Sequence, residues 1–404
     1  MRIAVLGAAL AVFATQALAA APDPVAAGRY QAILGDCDGC HIGPDGQHFA
    51  GGVALATPFG KLVAPNITQD RETGIGRWRL DEFRRAVKQG IGRGGKRLYP
   101  AMPYPAYARI SDADIAALWS YMKTVAPVRH AVRSNLLRFP FNIRAGMLVW
   151  NWINFKPAPF KPDPAKSAAW NRGAYIVTGP GHCGACHTPK SLLGADRSSL
   201  ALTGASLQDW FAPDITAHRT MGIGGWTEAD IVTYLRSGWN DHAAATGPMA
   251  EAVENSTSKM TNADLAAIAV YLKDQAASPR EIPPAIAATE PQMKSGAAVY
   301  QANCVGCHGW DGKGEGHVFP PLAGNAIVQQ DSVETLARVV LAGARAAQTR
   351  EAPTGPAMPS FAWRLNDGEV ADMLTYIRNS WGNAAAPVSA DTIAKIRTRL
   401  RSGT

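Results

Sequence analysis

The chain has 404 residues, 47% of them hydrophobic and 18% charged, with a formal net charge of +8. That length allows two to four domains, and the apolar fraction with 11 Trp, 11 Phe and 10 Tyr excludes a mainly disordered chain. Six cysteines are too few for a disulfide scaffold, and the basic excess is spread too thinly to indicate nucleic acid.

The first element in chain order is an address. Met1–Ala21 carries one early Arg, an apolar run from Ile3 to about Ala14 and a small-x-small Ala17-Leu18-Ala19, so residues 1–19 are expected to be a signal peptide for export. No apolar run of about 18 residues or more follows it. An ordinary membrane span is therefore not expected in the mature chain.

Three repeats follow. The first, residues 20–130, opens with a helical pattern around Ala27-Gly28-Arg29-Tyr30 and continues into Cys37-Asp38-Gly39-Cys40-His41. Arg84, Arg85, Lys88, Arg93, Lys96 and Arg97 then read as a solvated helix face, or as a docking site for an acidic protein. Pro100-Ala101-Met102-Pro103 precedes an amphipathic helix from Ser111 to Lys123. Residues 131–167 are rich in proline and read as a linker. The aromatic run Met147–Phe155 within it is expected to form a buried seam between domains, with contact to a partner or a bilayer surface as the alternative.

The second repeat, 168–273, has Arg172-Gly173-Ala174-Tyr175, then Cys183-Gly184-Ala185-Cys186-His187, then Gly247-Pro248-Met249, then a helix from Thr261 to Lys273. After a second proline-rich linker, 274–292, the third repeat spans 293–385. It contains Ser295-Gly296 to Tyr300, Cys304-Val305-Gly306-Cys307-His308, Pro356-Ala357-Met358-Pro359 and a helix from Asn366 to Arg378. Each closing helix begins with an N-cap residue and an acidic first turn and ends in a cation. An acid stands seven residues before a tyrosine in each: Asp114 and Tyr121, Asp264 and Tyr271, Glu369 and Tyr376. That face is expected to pack on the opening helix of its repeat, with glycine allowing close approach. In the tail, 386–404, Ile393, Ile396 and Leu400 interleave with Lys395, Arg397, Arg399 and Arg401. This reads as a small amphipathic helix on anionic lipid or as a solvated terminus.

All six cysteines fall in C-x-x-C-H motifs, of which about 0.002 would arise by chance in this composition. Two thiols at that spacing add across the two vinyl groups of one haem, and the adjacent His lies beneath the ring where it can bind iron. Zinc would need four ligands from paired motifs, and dithiol redox chemistry a single C-x-x-C in a βαβ setting. Neither setting is present. Three covalently bound haem c groups are expected, attached through Cys37, Cys40, Cys183, Cys186, Cys304 and Cys307, with His41, His187 and His308 on the iron.

The sixth ligand is expected from a methionine beside proline in each repeat: Met102, Met249 and Met358. Met raises the potential, and a loop held by proline has little ordering entropy left to lose. Met260 is the rival in the second repeat, whereas Met122, Met147, Met221 and Met373 read as core filler. His48, His130, His182, His218, His242 and His317 share no position across the repeats and read as surface or satisfied core residues, with His242 as the alternative ligand in repeat two.

Several longer stretches carry a resemblance. Leu98-Tyr99-Pro100-Ala101-Met102-Pro103-Tyr104, Arg138-Phe139-Pro140-Phe141-Asn142-Ile143-Arg144, Trp170 to Tyr175 and Gly181 to Pro189 resemble the three-haem cytochrome c subunits of bacterial membrane-associated dehydrogenases. The resemblance implies a mainly α fold of three tandem cytochrome c-type haem domains with no catalytic residue of its own. It also implies a catalytic partner subunit of flavin, quinoprotein or molybdenum type, and ubiquinone or a terminal oxidase as acceptor. The expected place is the periplasmic side of the bacterial inner membrane, with peripheral membrane contact. A haem enzyme such as a peroxidase would need an open iron position with acid–base groups above it, and a free electron shuttle would lack a dedicated partner.

Overall fold

The computed structural model describes residues 23–133, 135–207 and 209–402, so the expected signal peptide lies outside the described residues. Among the described residues the chain is mainly helical, with three small antiparallel sheets of short strands. Each repeat is organised by one helix crossing. The opening helices are Pro24–Leu34, Ala168–Thr178 and Pro291–Asn303, and the closing helices Asp112–Met122, Asn262–Lys273 and Asp367–Ile377.

The local reasons for the closing helices are those read in the sequence. The side chains of Ser111, Thr261 and Asn366 accept from the backbone N–H of Asp114, Asp264 and Glu369 at 3.0, 3.2 and 3.0 Å, satisfying a donor that the first turn leaves open. Each helix then crosses its opening partner at a glycine. A Cβ at Gly28 would lie 1.9 Å from the Ala117 carbonyl oxygen, at Gly173 1.9 Å from that of Ala267, and at Gly296 2.1 Å from that of Asp372. The same three glycines lie beneath Tyr121, Tyr271 and Tyr376. Around each crossing sits an apolar core, built on Ile115 and Leu118 in repeat one, Ile176 and Leu265 in repeat two, and Val370 and Leu374 in repeat three.

Repeats one and two also exchange contacts reciprocally. The Tyr30 hydroxyl donates to Asp264 at 2.7 Å and accepts from the Thr261 N–H at 3.0 Å. The Tyr175 hydroxyl donates to Asp114 and accepts from the Ser111 N–H at 3.1 Å. Each opening-helix tyrosine thus caps the closing helix of the other repeat, as a local two-fold would require. The third repeat departs from this, since Tyr300 donates to its own Gly309 carbonyl at 2.7 Å. Repeat three instead meets repeat two through Thr335, whose hydroxyl accepts from the Phe211 N–H at 2.8 Å and donates to its carbonyl at 3.0 Å.

Asp264 is buried and receives both Arg172 nitrogens at 2.7 Å besides Tyr30. Burial raises its pKa, but the bonds from Arg172 and Tyr30 outweigh that and hold the carboxyl below its usual value. The stabilisation is therefore complete at neutral pH and is lost as pH falls through the depressed folded value, below about 4. Asp264→Ala is expected to lower stability by about 2–4 kcal/mol, because it leaves Arg172 and Tyr30 without their acceptor. Denaturant unfolding at pH 7 and in acid checks this, and the deficit should shrink in acid.

Three stretches differ from their sequence expectation or refine it. Residues 131–167 are partly built into repeat one: Asn135–Leu137 pair antiparallel with Gly60–Val63, and Gly146–Asn154 form a helix. That helix buries Trp150, but Leu148, Val149, Trp152 and Ile153 face solvent. The expected seam is formed only in part: one stripe of the helix lies between repeats, Trp150 packing on Tyr104 of repeat one and donating to the Leu193 carbonyl of repeat two, while the opposite side is left uncovered. The tail does form a helix, Ala390–Ser402, but it is neither a lipid-facing helix nor a solvated terminus. Ile393 and Ile396 are buried in the core of repeat three, and Arg397 Nε lies 2.6 Å from Asp367. An apolar stripe on a short helix fits a protein groove as well as a bilayer. The basic cluster of repeat one lies on and after the helix Leu80–Gln89, with Lys88 2.7 Å from Asp112, Arg85 3.7 Å from Asp81 and Arg93 3.4 Å from Glu82. It is a largely paired, solvated face.

Candidate haem-attachment sites

In all three repeats the C-x-x-C-H segment is a single short helical turn, Cys37–His41, Gly184–His187 and Val305–His308, which follows the opening helix directly. The turn brings both thiols to one side and ends on the histidine. Each histidine is then tied at two points. Its Nδ1 lies against a prolyl carbonyl: His41 with Pro65 at 2.7 Å, His187 with Pro213 at 2.7 Å and His308 with Pro320 at 3.1 Å. A carbonyl only accepts, so Nδ1 carries the proton and Nε2 is left as the lone-pair nitrogen. Burial lowers the pKa of all three rings against the opposing effect of those carbonyls, which favours the neutral imidazole a metal requires.

The second tie is on the backbone. The carbonyls of His41, His187 and His308 accept from the N–H of Gly51, Gly204 and Gly314 at 2.6, 2.8 and 3.0 Å. All three glycines hold positive φ, and at Gly51 a Cβ would meet the Pro65 carbonyl carbon at 2.4 Å. In the sequence Pro65, Pro213, Pro320 and Gly314 fall in Gly- and Pro-rich loops suited to wrapping a flat cofactor, but nothing there discloses that their main-chain groups hold the histidines. Ala64-Pro65-Asn66-Ile67-Thr68 of repeat one matches Ala212-Pro213-Asp214-Ile215-Thr216 of repeat two, and that likeness is the signal the sequence offers for two of the prolines.

The methionines are placed less uniformly. Met102 packs with the core that holds Cys37, and Met358 with the core that holds Cys304. Met102 is fixed by a tight turn, its N–H donating to Tyr99 O at 3.1 Å and its carbonyl accepting from the Tyr104 N–H at 2.7 Å. Met358 is held in a two-residue strand opposite Ala344. Met249 stands at the start of the helix Pro248–Asn255 and packs with Tyr234 and Ala245, apart from the core that contains Cys183. Met260 lies in that core. It directly precedes the N-cap Thr261, however, as Ile110 precedes Ser111 and Leu365 precedes Asn366, and all three are buried. Met260 thus takes a packing place that plain aliphatic residues fill in the other repeats, whereas Met102, Met249 and Met358 are each only partly covered.

Burial also raises the pKa of five of the motif thiols, Cys186 among them. Burial pushes Cys37 and Cys183 up to about 12, and Cys40 and Cys304 up to about 11. Among the described residues no group of three or more His, Cys, Asp and Glu is arranged to hold a metal ion, so the zinc reading gains nothing. The histidines nearest in interest are engaged elsewhere. His182 is packed edge-on against Tyr107 across the boundary of repeats one and two, and His242 stacks on Trp226 and faces Asp230 at 3.3 Å. The donor set of each motif therefore fits haem: two thiols a turn apart and one neutral, pre-oriented imidazole.

Comparison with known proteins agrees with this geometry. A family model described as cytochrome c matches residues 25–126 and 293–381. The cytochrome c subunit of the quinone alcohol dehydrogenase of Gluconacetobacter polyoxogenes is 38% identical, over 98% of this chain and 90% of that protein. The gluconate 2-dehydrogenase cytochrome c subunit of Pantoea cypripedii is 39% identical over 92% and 88%. The fructose dehydrogenase cytochrome subunit of Gluconobacter japonicus is 37% identical over 92% and 82%. The chain belongs to the cytochrome c family, within the group formed by the cytochrome c subunits of such dehydrogenases. Among the described residues no helix is long and apolar enough to cross a membrane.

Proposed function

We propose that this chain is the electron-transfer subunit of an exported dehydrogenase complex and carries three covalent haem c groups. The observation that supports it best is the threefold recurrence of one constellation: paired thiols, a histidine with Nδ1 on a prolyl carbonyl, and a glycine N–H on the histidine carbonyl. Cys37 and Cys40, Cys183 and Cys186, and Cys304 and Cys307 would hold the groups, with His41, His187 and His308 as ligands on the cysteine side and Met102, Met249 and Met358 opposite. When bound, each haem supplies one-electron redox chemistry. The chain's own residues orient the imidazole Nε2 atoms that would bind it, through the prolyl carbonyls on Nδ1.

The relatives are named as subunits of alcohol, gluconate and fructose dehydrogenases, which supports a catalytic partner oxidising an alcohol or a sugar-derived substrate. Ubiquinone or a terminal oxidase is the acceptor in this reading, on the periplasmic side of the inner membrane. Purification of the native protein tests it. Three irons per chain and a copurifying catalytic subunit are expected, and a stable lone chain or fewer irons would contradict the proposal. A high-spin ferric component reacting rapidly with peroxide would point to a haem enzyme instead.

The choice of Met249 has its own test. Met249→Leu is expected to leave the iron content unchanged and to lower one haem potential on the order of 0.1 V. Met260→Leu should leave all potentials in place. Redox titration of the two variants decides between them.

A further inference from the structure

Of the fifteen large apolar side chains exposed among the described residues, ten lie in 136–153 and at Leu192 and Leu193. Phe139 is 79% exposed, Trp152 83% and Leu192 97%. They belong to three converging segments. Trp150 Nε1 donates to the Leu193 carbonyl at 2.8 Å, joining the helix Gly146–Asn154 to the loop of repeat two. The Phe141 and Phe59 rings lie 4.6 Å apart, joining the 138–145 turn to the hairpin of repeat one, and a Cβ on Gly194 would touch Phe59 at 3.4 Å. Monomeric proteins rarely leave a contiguous patch of this kind uncovered.

The charge around the patch identifies what covers it. From 115 to 162 the chain contains seven Lys or Arg and no Asp or Glu. Arg138, Lys156 and Lys161 are exposed beside the apolar segments, and Lys61 pairs with Leu136 in the sheet, on the same face. In the Leu192-Leu193 loop the one carboxylate is Asp196, which is paired with Lys190. Outward aromatics with a rim in which cations predominate suit the headgroup layer of an anionic bilayer, where apolar side chains enter the acyl boundary and cations meet phosphate.

We infer that the face formed by the helix Gly146–Asn154, the 138–145 turn and the Leu192-Leu193 loop seats this protein on an anionic lipid surface. The inference rests on the exported, membrane-facing reading above. It also orients the molecule. Tyr104, two residues beyond Met102, donates to Asn151 Oδ1 at 2.6 Å and packs edge-on against Trp150 and Phe155. The Met102 loop of repeat one therefore lies directly behind the seated face.

The haem-loaded full chain is mixed with phosphatidylcholine vesicles containing about one third phosphatidylglycerol, and with pure phosphatidylcholine vesicles. Sedimentation with the anionic vesicles is expected, weakened by salt. The double variant Phe139→Ser, Trp152→Ser should partition about tenfold more weakly or worse, ~1.4 kcal/mol, whereas Trp363→Ser, an exposed site in repeat three, should bind as the wild type does. Brominated lipid should quench wild-type tryptophan emission, a readout that needs no variant. Wild-type protein left in the supernatant, unquenched emission, or a double variant that sediments normally would overturn the inference. So would a double variant that loses only its copurifying catalytic subunit, or only self-association, since the face would then belong to protein. Iron content, measured on the same samples, reports separately on the electron-transfer proposal.

Discussion

Cys183→Ser together with Cys186→Ser is expected to leave two irons per chain instead of three and to cut electron flow through the complex by about two orders of magnitude, ~2.7 kcal/mol in activation terms. Repeat two is bonded to both neighbours, to repeat one through Tyr30 and Tyr175 and to repeat three through Thr335 and Phe211. Losing its redox centre therefore breaks the succession in the middle rather than trimming an end. Serine is close in size to cysteine and cannot form the thioether, so the turn Gly184–His187 and the bond from His187 to Pro213 are retained. Metal analysis and partner-driven reduction of an added acceptor check the two parts. Retention of three irons, or of full throughput, would contradict the proposed path.

Gly173→Ala should have the largest effect on folding of any single methyl group added to repeat two. The new Cβ would stand 1.9 Å from the Ala267 carbonyl oxygen and 2.8 Å from the Tyr271 Cβ, and the first of these is helix backbone that no rotamer change can move. The two helices must separate, which opens the core around Ile176 and Leu265. A loss of about 3 kcal/mol or more follows from overpacking of this severity. Gly316→Ala is the control, since a Cβ there meets nothing within 4 Å, and it should be close to neutral. Thermal unfolding of the matured variants separates the two. Equal stability would mean that the crossing is looser than described.

What was legible in the sequence is what depends on near neighbours. The C-x-x-C-H turns, the N-caps at Ser111, Thr261 and Asn366, and the glycine crossings are each set within a few residues or by a repeat that announces itself three times. The exchange between Tyr30 and Asp264 joins residues 234 apart. Tyrosine at that place was visible, but whether its hydroxyl reaches its own repeat or the next depends on how two domains dock. Pro65, Pro213 and Pro320 act through their carbonyls, a group every residue possesses, so their type does not disclose the role. Met147–Phe155, in part, and the C-terminal helix departed from expectation for a common reason. Periodicity marks an apolar stripe but not what lies against it, and the first faces outward where the second is buried against repeat three.

The double tether of each motif histidine bears on how quickly charge can move. Its restraints are main-chain groups set by turns, a prolyl carbonyl on one side and a glycyl N–H on the other. No side chain has to swing when an electron arrives or leaves, and the dipoles beside the ring are already aligned. With haem bound as proposed, the protein's share of the nuclear rearrangement at each oxidation-state change would be correspondingly small. Hopping rates along such a stiff frame are governed by separation and driving force, with little energy spent on reorganising the protein between steps.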